Sequence, residues 1–297
     1  MMDEETFIRK ITSFFPQGPD VKTGPGDDCA VLDLGLEHLL LAAADQVIEG
    51  VHYLKGTSPE RIARKLLNRN ISDIASMGGT PTHVLLTLAV NPVDEEFLTA
   101  FHKALGELAS EYSVSVIGGD MAKLPEEGQC FSLTILGKVL PEKLCLRSNA
   151  VAGQGLYATG FFGNSFATEH HLDFRPHWKE AQFLAGAYTA AMMDVSDGLL
   201  QDAGRFAAAS GLSLVLDVEK IPLRQGATLP GALSDGEDYG LLFAMEDSRA
   251  EKLFQNWKMP LVPVTRIGAF LPGEPGKVVM TQTLKKELQK TGYDHFR

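Results

Sequence analysis

Residues 58–79 read SPERIARKLLNRNISDIASMGG. Ser58 offers a cap, Pro59 falls in the first turn, and the acid Glu60 follows, the usual opening of a helix. Ile62, Leu66, Leu67, Ile71, Ile74 and Ala75 recur at helical spacing until Gly78-Gly79 and Pro81 stop the run. Upstream, residues 38–44 (HLLLAAA) predict a short buried strand ending at Asp45; downstream, residues 83–90 predict another. Next come an amphipathic helix over 94–112, a short strand over 113–117 running into Gly118-Gly119-Asp120, and a longer strand over 130–140. Pro141 and the polar stretch 147–155 mark a boundary. Beyond it the pattern gives strands at 156–159, 192–195, 212–218, 240–245 and 262–267, with helices at 180–191, 198–209 and 249–257. Strands adjacent without an intervening helix argue for an α+β (mixed α/β) layer arrangement over a purely parallel sheet. Two domains are expected, 1–141 and 142–297.

The composition supports this reading. Of 297 residues, 44% are hydrophobic and 22% charged, enough apolar material for a sizeable core and too much for a disordered chain. Twenty-seven basic residues against 38 acidic ones give a net charge of -11, which disfavours nucleic acid and anionic membranes as partners. Cys29, Cys130 and Cys145 are widely spaced and form no C-x-x-C pair, so a disulfide framework or a cysteine zinc site is not expected. No stretch is apolar enough for a membrane span and residues 1–5 (MMDEE) do not resemble a signal peptide, so a cytoplasmic location is expected.

The chemistry is suggested by where the acids fall. Asp27-Asp28, Asp45, Asp120, Asp194, Asp197 and Glu237-Asp238 all read as lying at strand ends or in glycine-bearing loops, where rigid scaffolds carry function. Asp73 lies inside the apolar helix, three residues from Asn70 and on the same face, and needs a partner there. Converging carboxylates repel unless a cation joins them, and Mg²⁺ takes oxygen ligands together with substrate phosphates. An acidic protein can bind a polyphosphate in this way. Taken singly, each motif is equally compatible with turn or cap chemistry: Asp197 could cap the helix at 198, and His52 and His295 could be structural. The P-loop pattern, the H-R-D and D-F-G kinase signatures, G-x-G-x-x-G after a strand, G-x-S-x-G and H-E-x-x-H are all absent.

Seven segments taken together resemble the thiamine-monophosphate kinase family of the aminoimidazole-ribonucleotide-synthetase-like superfamily. They are residues 26–30 (GDDCA), 45–53 (DQVIEGVHY), 70–78 (NISDIASMG), 117–120 (IGGD), 194–199 (DVSDGL), 236–239 (GEDY) and 292–296 (GYDHF). The resemblance implies a two-domain fold whose N-terminal domain dimerises. It implies ATP-dependent phosphorylation of thiamine monophosphate to thiamine diphosphate by in-line transfer with several Mg²⁺ ions. It places metal ligands at Asp28, Asp45, Asp73, Asp120, Asp194 and Asp197, and nucleotide contacts at Gly119, Asp120, Arg147 and Ser196. Thiamine-side contacts fall on His52, Glu237 and Tyr293. The chain departs from the family pattern at Ala43-Ala44, where hydroxyl residues usually precede the aspartate, and at Met121, Gly240 and residues 161–164. Two alternatives follow: a nucleotide- or thiamine-phosphate-binding paralogue of weakened activity, or another ATP-using enzyme of the same superfamily.

Overall fold

The computed structural model describes residues 4–281 together with Gly292 and Tyr293. The first half contains α1 (Glu4–Thr12), β1 (Val21–Thr23), β2 (Ala30–Leu32), β3 (Leu39–Ile48), α2 (Pro59–Ser76), β4 (Thr80–Asn91), α3 (Glu95–Glu111), β5 (Ser115–Lys123) and β6 (Gly128–Val139). The second contains β7 (Gly155–Thr159), α4 (His170–Asp173), α5 (Trp178–Leu184), β8 (Met192–Asp194), α6 (Leu199–Ala209) and β9 (Ser213–Leu216). It continues with α7 (Leu229–Ser234), β10 (Leu241–Met245), α8 (Ala250–Asn256), β11 (Val264–Leu271) and β12 (Val278–Met280). Each half builds one mixed sheet of six strands, in the orders β1-β2-β3-β6-β4-β5 and β12-β9-β11-β7-β10-β8. Pairing is antiparallel except for β4 with β5 and β12 with β9. This is the α+β arrangement expected from the sequence.

Helix α2 occupies the centre. Its apolar stripe, Ile62, Leu66, Leu67, Ile71 and Ile74, enters the core of the first sheet with Leu41, Leu133 and Ile135. Its other face is polar and buried as well: Lys65, Asn68, Asn70, Ser72 and Ser76 are each no more than 1% exposed. That face receives the second half, with Asn68 Nδ2 donating to the Phe174 carbonyl at 2.6 Å and Ser72 Oγ donating to Asp194. Pro59 sits in the first turn as expected, but the Ser58 side chain makes no capping hydrogen bond.

Three expectations require correction. Strand β3 does not end at Asp45 but runs on to Ile48, so Asp45 lies within a ladder, opposite Leu133. The helix expected over 180–191 stops at Leu184, because Gly186 takes a left-handed conformation (φ 72°) just beyond its end. Most consequential, Gly118-Gly119-Asp120 does not follow a strand but lies in the middle of β5. Ile117 bulges where the register moves from Val84–Val116 to Leu85–Gly118, and Asp120 pairs with Thr87. Gly119 is required by this pairing: a Cβ there would lie 1.7 Å from the Leu86 carbonyl oxygen. Gly119→Ala is therefore expected to cost about 3 kcal/mol of stability in chemical denaturation, the upper end for overpacking. An unchanged midpoint would show that β5 can move away from β4.

Candidate active site

The strand-to-strand and strand-to-helix turns bring the acids to the side of α2 that faces the second half. Carboxylate oxygens of Asp28, Asp73 and Asp194 lie within 4.8 Å of one another. Asp28 follows the 24–28 turn and Asp194 ends β8, while Asp73 projects from α2. Ser76 Oγ donates to Asp28 at 2.7 Å, and Ser72 donates to Asp194. The Asp73 carboxylate has no hydrogen-bond partner among the described residues. Burial pushes its pKa well above the ordinary carboxylate range, and Asp45, Asp194 and Asp28 add to the rise. Asp194 is raised well above that range by burial and then by Asp28. Three hard oxygen donors held against their own repulsion fit Mg²⁺.

Arginines neutralise the flanks of this cluster. Arg147, on the segment joining the two sheets, binds Asp28 and donates from Nε to Asp27 at 3.2 Å. Asp27 is nonetheless raised to about 6 by burial and by Asp28. Arg69 Nε donates to Asp45 at 2.6 Å. Arg205 pairs with Asp197 and, at 2.9 Å, with Asp202. Asp202 does what the sequence suggested Asp197 might do: one of its oxygens accepts the backbone N–H groups of Ser196, Asp197 and Gly198. It thereby caps the turn from within, and the Asp197 carboxylate is left to face the cavities.

Two cavities meet here. The larger, about 580 Å³, is lined by Asp27, Asp28, Ala43, Ala44, Asp45, Asp73, Arg147, Asp197 and Arg205, among others. The smaller is lined by Val51, His52, Arg69, Phe166, Ser196, Asp197, Asp235, Glu237, Tyr239 and Tyr293. Asp197 lines both. His52, Glu237 and Tyr293, distant in sequence, thus share one wall system. His52 is buried, and its Nδ1 accepts the Ile48 N–H at 3.1 Å. Glu237 is held by Lys65, whose ammonium also donates to the His52 carbonyl at 2.6 Å. Burial pulls Lys65 down to about 8, against the pull of Glu237. The Tyr293 N–H donates to the Asp197 carbonyl at 2.8 Å, which fixes this residue against the start of α6. Asp294, His295 and Phe296 of the C-terminal motif lie outside the described residues.

Segment 236–239 reaches the cavity through unusual backbone. Glu237 and Tyr239 both have positive φ, 56° and 52°, a strain that proteins tend to concentrate at sites. Gly236 (φ 74°) lies so close to the 196–197 turn that a Cβ would be 2.9 Å from the Ser196 carbonyl.

Of the residues singled out in the sequence, Gly119 and Asp120 are not brought to either cavity by this chain; every residue of β5 is exposed. Ser196 lines the smaller cavity, not the larger. Sequence reasoning missed Lys65, Arg69, Arg205 and Asp202. On amphipathic helices these charges resemble a solvated face; the Arg205–Asp202 pair alone has helical spacing, while Lys65 and Arg69 meet Glu237 and Asp45, far away in sequence.

The fold and the paired cavities define the wider class first. Residues 26–139 match the family model for AIR synthase related protein, N-terminal domain. A thiamine-monophosphate kinase from Salmonella typhimurium is 32% identical over 305 residues, covering 93% of each chain. One from Rhodopirellula baltica is 33% identical, covering 89% of this chain and 88% of the relative. The chain belongs to the thiamine-monophosphate kinase family. Among solved structures, AaThiL complexed with AMPPCP and TMP superposes with a TM-score of 0.84 at 26% identity, covering 99% of this chain and 97% of that one.

Proposed function

We infer that this protein transfers the γ-phosphoryl group of ATP to thiamine monophosphate, giving thiamine diphosphate. The observation that carries the reading is the pair of cavities sharing Asp197, one lined by carboxylates and arginines and the other by aromatic side chains and Glu237. Phosphoryl transfer asks for positioning and charge neutralisation more than covalent help, and two adjoining sites supply the positioning. Phe166 and Tyr293 offer ring faces to a cationic thiazolium, with Glu237 as its opposite charge. Asp28, Asp73 and Asp194 would hold Mg²⁺, with Asp45 and Asp197 at the rim. When bound, the metal would offset the mutual repulsion of the donor and acceptor phosphates. Arg147 and Arg205 face the larger cavity and are placed to bind the nucleotide phosphates as their aspartates turn to the metal. No helix among the described residues is long and apolar enough to cross a membrane, and all three cysteines are free, which supports a cytoplasmic location.

Incubating the protein with thiamine monophosphate and Mg-ATP tests the reading: thiamine diphosphate and ADP should form together. Ala43 and Ala44 line the larger cavity without hydroxyls and favour the paralogue reading, which binding without product would support. ADP formed only with another acceptor would point to a relative of different specificity.

A homodimer belongs to this proposal. Strand β5 is the edge of its sheet and exposes Val116, Ile117 and Met121, each about half open to solvent. An unprotected apolar edge of this kind invites pairing. Asp120 lies on it, so a second copy would carry its Asp120 across the seam. Asp120→Asn should then abolish turnover with an unchanged melting temperature. Mixing that variant with Asp194→Asn should restore about a quarter of wild-type turnover, as random pairing of two-chain sites predicts. Full activity of Asp120→Asn alone would remove Asp120 from the site.

A further inference from the structure

Arg69 lines the smaller cavity and holds Asp45 of the larger one, yet nothing in the family reading uses it. Its side chain is only 11% exposed, and it lines the smaller cavity. Nε donates to Asp45 at 2.6 Å and one Nη donates to the Gln46 carbonyl at 2.8 Å. The other Nη has no hydrogen-bond partner among the described residues. A guanidinium fixed on two sides, with donors to spare, is a preorganised anion site.

A second unsatisfied group lies close to Arg69. Tyr239 is 2% exposed, lines the smaller cavity, and its buried hydroxyl has no hydrogen-bond partner among the described residues. Its ring is clamped face to face on Phe174, centroids 3.8 Å apart, so the hydroxyl cannot swing away to find one. Burial pushes the phenol well above its usual range; Arg69 pulls the other way, and Glu237, Asp45 and Asp194 add to the rise. The hydroxyl therefore stays protonated and able to donate. A buried donor without a partner is costly unless a ligand completes it.

The surroundings explain why a cation is built in here. Asp45 is preceded by Ala43 and Ala44, whose side chains offer no oxygen to a divalent ion. The charge that Asp45 needs is supplied by Arg69 instead. We propose that Arg69, anchored on Asp45, and the Tyr239 hydroxyl form the subsite for the monophosphate group of the acceptor, so that this chain binds that phosphate without a divalent cation. The inference rests on the thiamine-monophosphate reading of the smaller cavity. Arg69 is a phosphate-binding residue in this scheme. Arg69 shares the smaller cavity with Asp197, which also lines the larger one, so the acceptor oxygen would lie near the incoming phosphoryl group.

Calorimetric titration of the full chain in excess EDTA, with thiamine monophosphate and with thiamine, tests the proposal. Wild type should bind the monophosphate about tenfold or more tightly than thiamine, the worth of a charge-assisted hydrogen bond. Arg69→Gln should erase that difference and leave thiamine affinity unchanged. Tyr239→Phe should reduce it about fivefold, as loss of a neutral donor would. Arg69→Lys should retain part of it. Equal affinities for both ligands in wild type without metal would overturn the proposal, as would an equal loss of both in Arg69→Gln. If Arg69→Gln fails to fold, Tyr239→Phe decides: an unchanged preference for the monophosphate would count against the subsite. Failure of wild type to bind either ligand even with Mg²⁺ would instead overturn the thiamine-monophosphate reading itself.

Discussion

Asp73→Asn should lower turnover by about 10³-fold, the scale for removing a preorganised charge from phosphoryl transfer. It should do so without loss of stability. The Asp73 carboxylate has no hydrogen-bond partner to lose among the described residues, and Asp45, Asp194 and Asp28 all oppose its ionisation. In EDTA the melting temperature of the variant should equal or exceed that of wild type. The pH dependence carries the sign. Asp73 and Asp194 are raised in the folded protein. Their contribution is therefore fully present below the ordinary carboxylate range and is lost as pH rises through the raised values. Wild type in EDTA should lose stability over that interval, and Mg²⁺ should remove the loss. Asp73→Asn should flatten the slope and gain little from Mg²⁺. Unimpaired turnover, or an undiminished Mg²⁺-induced rise in melting temperature, would show that the cluster holds no catalytic metal.

Chelation should have the second large effect. Five carboxylates line the larger cavity, Asp27, Asp28, Asp45, Asp73 and Asp197, against two arginines, Arg147 and Arg205. Both arginines are already engaged by acids. A nucleotide triphosphate entering without metal would meet a wall of its own sign. Its affinity should fall about 100-fold or more in excess EDTA, a loss of roughly 3 kcal/mol read by equilibrium binding. Tight ATP binding under those conditions would refute the carboxylate–metal–phosphate arrangement. Thiamine monophosphate should respond differently, because its phosphate would meet Arg69.

The sequence made legible whatever depends on local periodicity. Helix α2 follows from the spacing of Ile62, Leu66, Ile71 and Ile74, and the α+β class follows from strands that succeed one another directly. The association of Asp28, Asp73 and Asp194, and of His52, Glu237 and Tyr293, rested on resemblance, since residues so far apart cannot be brought together by spacing alone. Asp120 was misplaced for a physical reason. Two glycines before an aspartate look like a turn, but here one accommodates a bulge and the other a close approach to Leu86. Both are properties of the neighbouring strand. Lys65 was illegible because its partner, Glu237, belongs to the other half; Arg69 and Arg205 meet Asp45 and Asp197 of their own halves, but at separations that no helical spacing reveals.

Helix α2 carries Lys65, Arg69 and Asp73 at intervals of four residues. Each step advances about 6 Å along the axis while keeping nearly the same face. The first residue grips Glu237, the second Asp45, and the third joins Asp28 and Asp194. On the proposed function, the helix would be a graduated rule laid from the acceptor's ring to its phosphate and on to the metal. Its divisions are set by hydrogen bonds that cannot be stretched. Inserting one residue between any two marks would turn the later ones by about 100°. Both halves of the reaction would still have their pockets, but they would no longer be measured from the same origin.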